Sequence, residues 1–237
     1  MTTRNRGKQP NDDTLFAPKW HPVLTNAADD LCFLLTRGYA ENSALTIVGN
    51  RYRLNKRQRN ALSRISTSDQ RIAARIQSQC TESDLKEATV EIDGFNLLIL
   101  LESALSGAFI FKGRDGNYRD ISSVHGSYKR VVKTEDAIHL VGQTLEELQV
   151  RHIRWYFDQP VSNSGRLKTR LLEVSREAGW PWEVTLVFNP DKVLADSKEI
   201  VISSDGWVLD YAQRWFNLGA YLVEEKMKAL ALNVVEV

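Results

Sequence analysis

The sequence predicts an α/β protein with a mainly parallel five-stranded sheet, preceded by a small helical module. From residue 88 onwards, short apolar runs typical of strands alternate with segments typical of helices, which is the pattern of parallel strands joined by crossover helices. Before residue 88, apolar residues recur mainly at helical spacing. The 237 residues suffice for one α/β domain and a smaller module.

Composition and charge are those of an ordinary soluble globular protein. Charged residues make up 26% of the chain, and the net charge of +1 does not by itself indicate a polyanionic partner. Cys32 and Cys80 lack the spacing of a metal or redox motif and indicate reduced thiols. The apolar run at 97–101 is too short to span a bilayer, and residues 1–13 lack the apolar core of a signal peptide. We therefore expect a cytoplasmic protein without membrane contact.

The first part of the chain is expected to be helical and locally basic. The predicted units are a disordered tail at 1–19, a basic helical module at 20–87 and the α/β domain at 88–237. Within the module, apolar spacing predicts a helix over 22–37 and one or two helices over 51–75, with a shorter segment at 43–48 between them that ends at a turn. The last of these stretches holds eight Lys and Arg residues against one acid, Asp69. It is either a solvated helix face or a phosphate-binding surface, since clustered basic side chains mark nucleic-acid binding.

The α/β domain begins with a strand, a turn and a helix around which the rest is organised. Val90 and Ile92 belong to a strand that Gly94 ends, and an apolar helix follows. This arrangement presents Asp93 and Asn96 at the carboxyl end of the strand, where ligands bind in open α/β sheets. Further strands are predicted at 152–157, 182–188, 199–202 and 220–223, and helices at 134–148, 165–178 and 206–218. Residues 112–133 form a long irregular insertion, which includes His125, and such insertions are often functional.

Acidic residues follow four of the predicted strands. Asp93, Asp158 and Asp205 stand at a strand end or just beyond it, and Asp191 follows a fourth strand closely. In a parallel sheet these ends share one edge, so the carboxylates are expected to cluster and to need a cation among them. Such hard oxygen ligands suit Mg²⁺ or Mn²⁺, which would orient a water for phosphoryl displacement. For any one of these acids a turn or helix cap explains the position better than catalysis does, but four at equivalent positions favour a site.

The loop after Asp158 is the second informative stretch. It offers hydroxyl groups at the start of the helix predicted at 165–178, which is a natural anion site, and basic residues follow in the first turns. The alternative is an ordinary helix cap with surface charges. Its position beside the candidate metal site favours phosphate binding. The predicted substrate contacts are Ser162, Ser164, Arg166, Lys129 and Arg130.

Three motifs resemble a known family. Ile92-Asp93-Gly94-Phe95-Asn96 resembles the first strand motif of PIN-like ribonucleases of the NYN branch. Val201-Ile-Ser-Ser-Asp205, with a helix and Gly219-Ala-Tyr-Leu-Val223 after it, resembles their Ser-Gly-Asp strand, helix and final strand. Asp191-Lys-Val-Leu194 falls where that family has an acid at the start of a short helix. The resemblance covers about 88–225, and the helical module joined to such a domain is similar to an uncharacterised prokaryotic family of unknown function.

The resemblance implies a PIN-like three-layer α/β/α domain with a metal-dependent nuclease site. It implies that Asp93, Asp191 and Asp205 bind Mg²⁺ or Mn²⁺ and that Asn96 is a supporting polar group on the substrate side. The predicted catalytic residues are these three aspartates and Asp158. We expect the substrate to be RNA rather than DNA.

Two positions depart from the family pattern. Ser204 replaces the glycine of its Ser-Gly-Asp strand, and Trp207 replaces its next acid, so Asp210 is predicted to substitute as a metal ligand. The alternative is a non-catalytic nucleic-acid-binding or regulatory module that kept the fold and lost an acid. A third possibility is a phosphatase of the haloacid dehalogenase type. That chemistry requires a second Asp two residues after the nucleophile, and Phe95 occupies this position, which argues against it.

Overall fold

The computed structural model describes residues 6–122 and 128–236, so the predicted insertion residue His125 lies outside the described part. The strands are, in chain order, β1 (Thr89–Asp93), β2 (Phe109–Lys112), β3 (Tyr118–Asp120), β4 (His152–Asp158), β5 (Trp182–Val187), β6 (Ile200–Ile202) and β7 (Asn233–Glu236). The α-helices are α1 (Asp12–Leu15), α2 (His21–Thr36), α3 (Glu41–Arg51), α4 (Lys56–Ile65), α5 (Asp69–Ser78), α6 (Gly94–Leu105), α7 (Thr134–Glu147), α8 (Ser164–Ala178), α9 (Pro190–Ala195), α10 (Gly206–Tyr211) and α11 (Leu218–Tyr221). The α/β class is therefore confirmed.

The main sheet has four parallel strands in the order β5-β4-β1-β6. The chain passes from β1 outwards through β4 to β5 and then returns to place β6 on the other side of β1. The carboxyl ends of β1 and β6 consequently form a topological switch point, where an open α/β sheet leaves a crevice for ligands.

Helices cover both faces of this sheet. Helices α6, α7 and α8 share the larger apolar core with alternate residues of the strands, among them Ile92 and Trp155. On the opposite face, α9 and α10 pack around Val201 and the buried Trp215. Trp155, Trp182 and Trp215 are buried, and Trp180 stacks on Trp182 with ring centroids 5.0 Å apart. These four side chains pack in or against the core.

Gly94 is required by the close approach of α6 to β4. A Cβ atom at this position would lie 2.3 Å from ring atoms of Phe157, which is far inside van der Waals contact. Glycine therefore lets α6 begin directly after β1, and this start brings Asp93 to the N-cap position of the helix.

The second sheet joins the helical module to the α/β part. It has the order β3-β2-β7, with β2 antiparallel to β3 and parallel to β7. Phe111 and Val235 from this sheet share one apolar core with Phe16, Leu24 and Leu62 from the amino-terminal helices. No helix among residues 6–122 and 128–236 is long and apolar enough to cross a bilayer.

The predicted disorder of residues 1–19 is wrong for the part that the structure describes. Residues 6–19 include α1, and Phe16 is buried with its ring against those of Phe109 and Phe111. The carboxylate of Asp12 accepts two hydrogen bonds from Arg57, at 2.6 and 2.8 Å. The Phe16 ring and the ion pair of Asp12 with Arg57 are among the contacts that hold this polar segment against the fold.

The predicted fifth strand at 220–223 is also wrong, because this segment is helical. It belongs to α11 and to the π-helical turn Leu222–Lys226 that follows. A short apolar run has no clear period, so pattern alone does not separate strand from helix. The helix predicted at 206–218 likewise ends early, at Tyr211, and the chain around Trp215 instead pairs with Val201 at the edge of β6.

Candidate carboxylate site

Asp93 is a buried carboxylate held at the junction of β1 and α6. Its Oδ1 accepts a hydrogen bond from the Asn96 N–H at 3.3 Å, and its Oδ2 accepts one from the Ser203 hydroxyl at 2.9 Å. The pKa of Asp93 is raised to about 7, chiefly by burial and also by the negative charges of Asp191 and Asp205, while the hydrogen bond from Ser203 acts in the opposite direction. Asp93 is thus a carboxylate that the surrounding structure leaves short of positive charge.

The other three predicted acids line the same cleft. Asp158, Asp191 and Asp205 surround an open space of about 400 Å³ together with Asp93. Desolvation raises the pKa of Asp191 to about 6, with further contributions from the charges of Asp205 and Asp158. Burial also raises the pKa of Asp158. The structure therefore brings together the four acids that the sequence placed at strand ends.

The loop after β6 is fixed by hydrogen bonds to β1 and α6. The Ser204 N–H and hydroxyl both donate to Asn96 Oδ1 at 2.8 Å, and the Asp205 N–H donates to the Ser203 hydroxyl oxygen at 3.0 Å. Asp205 Oδ1 in turn caps α10 by accepting from the Trp207 N–H at 2.8 Å. Asn96 lines the cleft, as expected, but its side-chain oxygen serves to hold this loop.

Asp210 does not take the place of a cleft ligand. It lines a neighbouring pocket, where its carboxylate accepts hydrogen bonds from Arg75 at 2.6 and 2.9 Å and lies 3.2 Å from Arg71. Arg75 is buried, so Asp210 is needed to balance its charge. The prediction that Asp210 substitutes for the missing family acid is not supported by this placement.

A buried network of ion pairs holds the backbone next to Asp205. Asp115 accepts hydrogen bonds from both Arg75 and Arg119. Although burial acts to raise the pKa of Asp115, these two guanidinium groups outweigh it and lower the pKa to about 2. Arg119 also donates to the Ser204 carbonyl at 2.7 Å, and Arg75 donates to the Gly206 carbonyl at 2.9 Å. The same two arginines thus hold the backbone on either side of Asp205.

Two charged residues of the cleft were not predicted from the sequence as members of the carboxylate site. Arg64, on α4, and Asp120, at the end of β3, both line the cleft although they lie far from the parallel strands in sequence. Burial raises the pKa of Asp120, and the nearby charge of Arg64 partly offsets this. The sequence feature that could have pointed to Arg64 is the basic composition of residues 51–75, which is typical of a phosphate-binding surface.

That basic stretch does not form one uniform charged face. Arg57 binds Asp12, Arg59 donates to the Leu54 carbonyl at 2.8 Å, and Arg75 is buried in the ion network. These three residues stabilise the fold. Arg64, by contrast, points its charge towards the cleft lining.

The residues predicted to hold phosphate lie elsewhere. Lys129, Arg130 and Arg166 line a separate pocket of about 520 Å³, which shares no lining residue with the carboxylate cleft in the described part of the chain. Ser164 is buried and its hydroxyl donates to the Gln159 carbonyl at 3.4 Å, while the Ser162 carbonyl accepts from the Tyr128 N–H at 3.0 Å. These serines complete the fold of the loop, so its predicted role beside the carboxylates is not borne out by their placement.

The donor chemistry of the cleft fits a hydrated divalent cation. Among residues 6–122 and 128–236, no three His, Cys, Asp or Glu side chains are gathered closely enough to ligate one ion directly. Mg²⁺, however, commonly keeps several waters and is bound through one or two carboxylates. The acids raise one another's pKa values, which is the state that a cation would relieve.

The chain is thus an α/β protein with a cleft lined by carboxylates at the switch point of a parallel sheet. Residues 82–221, more than half of the chain, match the family described as Domain of unknown function (DUF5616), and the chain belongs to this family. Residues 23–77 match the family described as Protein of unknown function (DUF434). An uncharacterised protein of Methanocaldococcus jannaschii is 34% identical over 186 residues, which are 78% of this chain and 88% of that protein. No solved structure matches the chain.

Proposed function

We propose that this protein is a metal-dependent nuclease of PIN-like type that hydrolyses phosphodiester bonds in RNA. The observation that carries the proposal is the convergence of Asp93, Asp158, Asp191 and Asp205 on one cleft at the switch point of the sheet. Three of these acids, Asp93, Asp191 and Asp205, are the ones that the resemblance to PIN-like ribonucleases implied as metal ligands. The sheet that carries these acids has four strands, because the segment predicted as the fifth strand is helical.

In this proposal Asp93, Asp191 and Asp205 would hold a hydrated Mg²⁺ or Mn²⁺, in part through its waters, and the bound ion would supply charge stabilisation and a more acidic water. Ser203 fixes the orientation of the Asp93 carboxylate through its 2.9 Å hydrogen bond. Arg64, at the rim of the same cleft, neutralises charge on the substrate phosphate.

Cleavage of a mixed pool of labelled single-stranded RNA tests the proposal. Wild type is expected to cleave with Mn²⁺ or Mg²⁺ and to stop on addition of a chelator. Asp93→Asn and Asp205→Asn retain the side-chain oxygen that caps the following helix, so both variants should fold. Each should reduce the cleavage rate at least about a hundredfold. Residues that only orient a metal ligand typically cost less than this when they are replaced.

Asp196→Asn is the matched control, because Asp196 is exposed and follows α9 outside the cleft lining. It should cleave like wild type. Cleavage that survives in Asp93→Asn and Asp205→Asn at the wild-type rate would overturn the assignment of the cleft as the nuclease site.

A second candidate function is a nucleic-acid-binding or regulatory module without catalysis. The presence of Trp207 where PIN-like ribonucleases of the NYN branch have their next acid favours it. This alternative predicts RNA binding that is unaffected by chelator and unchanged in Asp93→Asn, with no cleavage by wild type.

A further inference from the structure

We propose that the exposed aromatic pair Trp207–Tyr211, together with Arg64, forms a nucleotide subsite beside the carboxylate cleft. In this subsite Trp207 stacks on a base of a single-stranded nucleic acid, and Arg64 contacts the phosphate that leads towards the carboxylates. The inference deepens the proposed function and rests on it for the direction of the strand.

The first observation is the exposure of two neighbouring rings. The side chains of Trp207 and Tyr211 are 48% and 60% exposed, and their ring centroids lie 4.9 Å apart on successive turns of α10. Trp155, Trp182 and Trp215, by contrast, are buried. Aromatic rings that remain accessible and support each other are the platform on which bases stack without sequence preference.

The second observation is that the platform adjoins the carboxylates. Trp207 lines a pocket of about 470 Å³ whose wall includes Asp205, and the cleft shares with this pocket Arg64, Asn96 and Asp120. The Trp207 backbone is also fixed relative to the site, because its N–H donates to Asp205 Oδ1 at 2.8 Å. One strand bound across this shared wall would contact both the platform and the acids.

The third observation is the free charge of Arg64. It makes no salt bridge to another residue in the described part of the chain, whereas Arg57 and Arg75 are paired inside the fold. Asp120 is near enough for its pKa to be affected by Arg64 and does not hydrogen bond to it. An exposed guanidinium that forms no salt bridge with residues 6–122 and 128–236, and that lies between an aromatic platform and an acidic cleft, is suited to a phosphate of the bound strand.

A nucleic acid fits this surface better than a protein partner does. The apolar part consists of two rings surrounded by charged residues, among them Arg71, Arg64 and Glu41. A stable protein interface buries about 800 Å² on each partner and has an apolar centre. Two isolated rings beside a cation instead supply the stacking and charge that a single strand requires.

The test is the affinity of labelled single-stranded oligonucleotides, measured by fluorescence anisotropy in chelator and again with Mn²⁺. Trp207→Ala is expected to weaken binding about 5- to 100-fold, the range found when one stacking aromatic is removed, and Trp207→Phe should keep most of the affinity. An abasic oligonucleotide should bind wild type and Trp207→Ala equally. Arg64→Gln should weaken all strands and lower the salt dependence of binding by about one counterion.

Two exposed residues outside both pockets provide matched controls. Tyr39→Ala removes an exposed ring, and Lys56→Gln removes an exposed charge from the same helix as Arg64. Both variants should bind as wild type does.

Equal affinity of wild type and Trp207→Ala would overturn the subsite, and so would a wild type that binds no single strand, which would leave the rings to a protein partner. If wild type cleaves RNA and Trp207→Ala cleaves and binds identically, the subsite alone fails. If binding depends on Trp207 and no cleavage occurs under any metal condition, the subsite stands and the proposed nuclease fails.

Discussion

At the scale of single residues, Asp93 is the most deeply buried of the four predicted acids that line the cleft. Its carboxylate is buried, and the neutral donors Ser203 and the Asn96 N–H are the groups that hydrogen bond to it. Two further carboxylates raise its pKa to about 7 in addition to the effect of burial. A group held in this way favours a proton or a cation, and the choice between them depends on pH.

This leads to a prediction for the metal-free protein. Because the pKa of Asp93 is raised from an unfolded value of about 3.9 to about 7, the folded state binds the additional proton between these values. The free energy of unfolding should therefore fall as pH rises from about 4 to 7, with a limit of about 1.4 kcal/mol per pH unit for one group. Urea unfolding in chelator at several pH values measures this slope.

Asp93→Asn should show a shallower slope than wild type, because the titrating group is gone. Some slope will remain, since Asp191 titrates with a pKa of about 6 in the same direction. Asp196→Asn should keep the wild-type slope. An Asp93→Asn variant with an unchanged slope would show that Asp93 is ionised normally in the folded protein.

At the scale of elements, the loop between β6 and α10 is held by a buried ion network rather than by its own sequence. Arg119 and Arg75 donate to the carbonyls of Ser204 and Gly206, and Asp115 joins the two arginines. The hairpin of β2 and β3 and the helix α5 therefore act together to place Asp205. This explains why a cleft built at the edge of one sheet depends on the second sheet and on the helical module.

The network predicts a large effect of Arg119→Met on stability. Breaking a buried ion pair leaves Asp115 with one partner fewer and should cost about 3–5 kcal/mol of the free energy of unfolding. The comparison is Lys112→Met, which removes a partly exposed pair with Glu224 and should cost less than about 1 kcal/mol. Equal effects of the two substitutions in urea unfolding would contradict the structural role of the network.

At the scale of the whole molecule, the regions matched by two family models form a common core. Phe111, on β2, lies against Phe16 with ring centroids 4.8 Å apart, and both pack with Leu62 of α4. Helical module and α/β part therefore bury apolar surface against each other.

Phe111→Ala is predicted to destabilise the entire chain by about 3–5 kcal/mol, as expected for removal of a buried aromatic side chain. Far-ultraviolet circular dichroism follows the helices of both parts, and tryptophan fluorescence follows mainly the α/β part, which holds five of the six tryptophans. Both signals should shift together in one urea transition. Two steps in the circular dichroism signal, of which fluorescence follows only one, would show that the parts unfold independently.

The sequence was most informative where local signals and the chemistry of a strand end coincide. The alternation at Val90 and Ile92, the break at Gly94 and the acid at Asp93 predicted the first strand, the start of α6 and the central carboxylate. The acids after β4, β5 and β6 were placed correctly because parallel strands end at one edge.

The sequence was least informative where tertiary contacts decide. The apolar run at 220–223 lacks a period, so its helical state depends on how Leu222 and Val223 pack. Arg64 enters the cleft only because the helical module packs beside the main sheet. Asp210 was expected as a ligand, but the charge of Arg75, which is remote in sequence, engages it.

The most direct test of the account is a titration of the protein with Mn²⁺ near pH 7.5, with free ion measured by electron paramagnetic resonance. We expect binding by wild type and by Asp196→Asn, and an affinity at least about tenfold weaker in Asp93→Asn and Asp205→Asn. Wild type that binds Mn²⁺ no better than these two variants would contradict the claim that the carboxylate cleft is a divalent metal site.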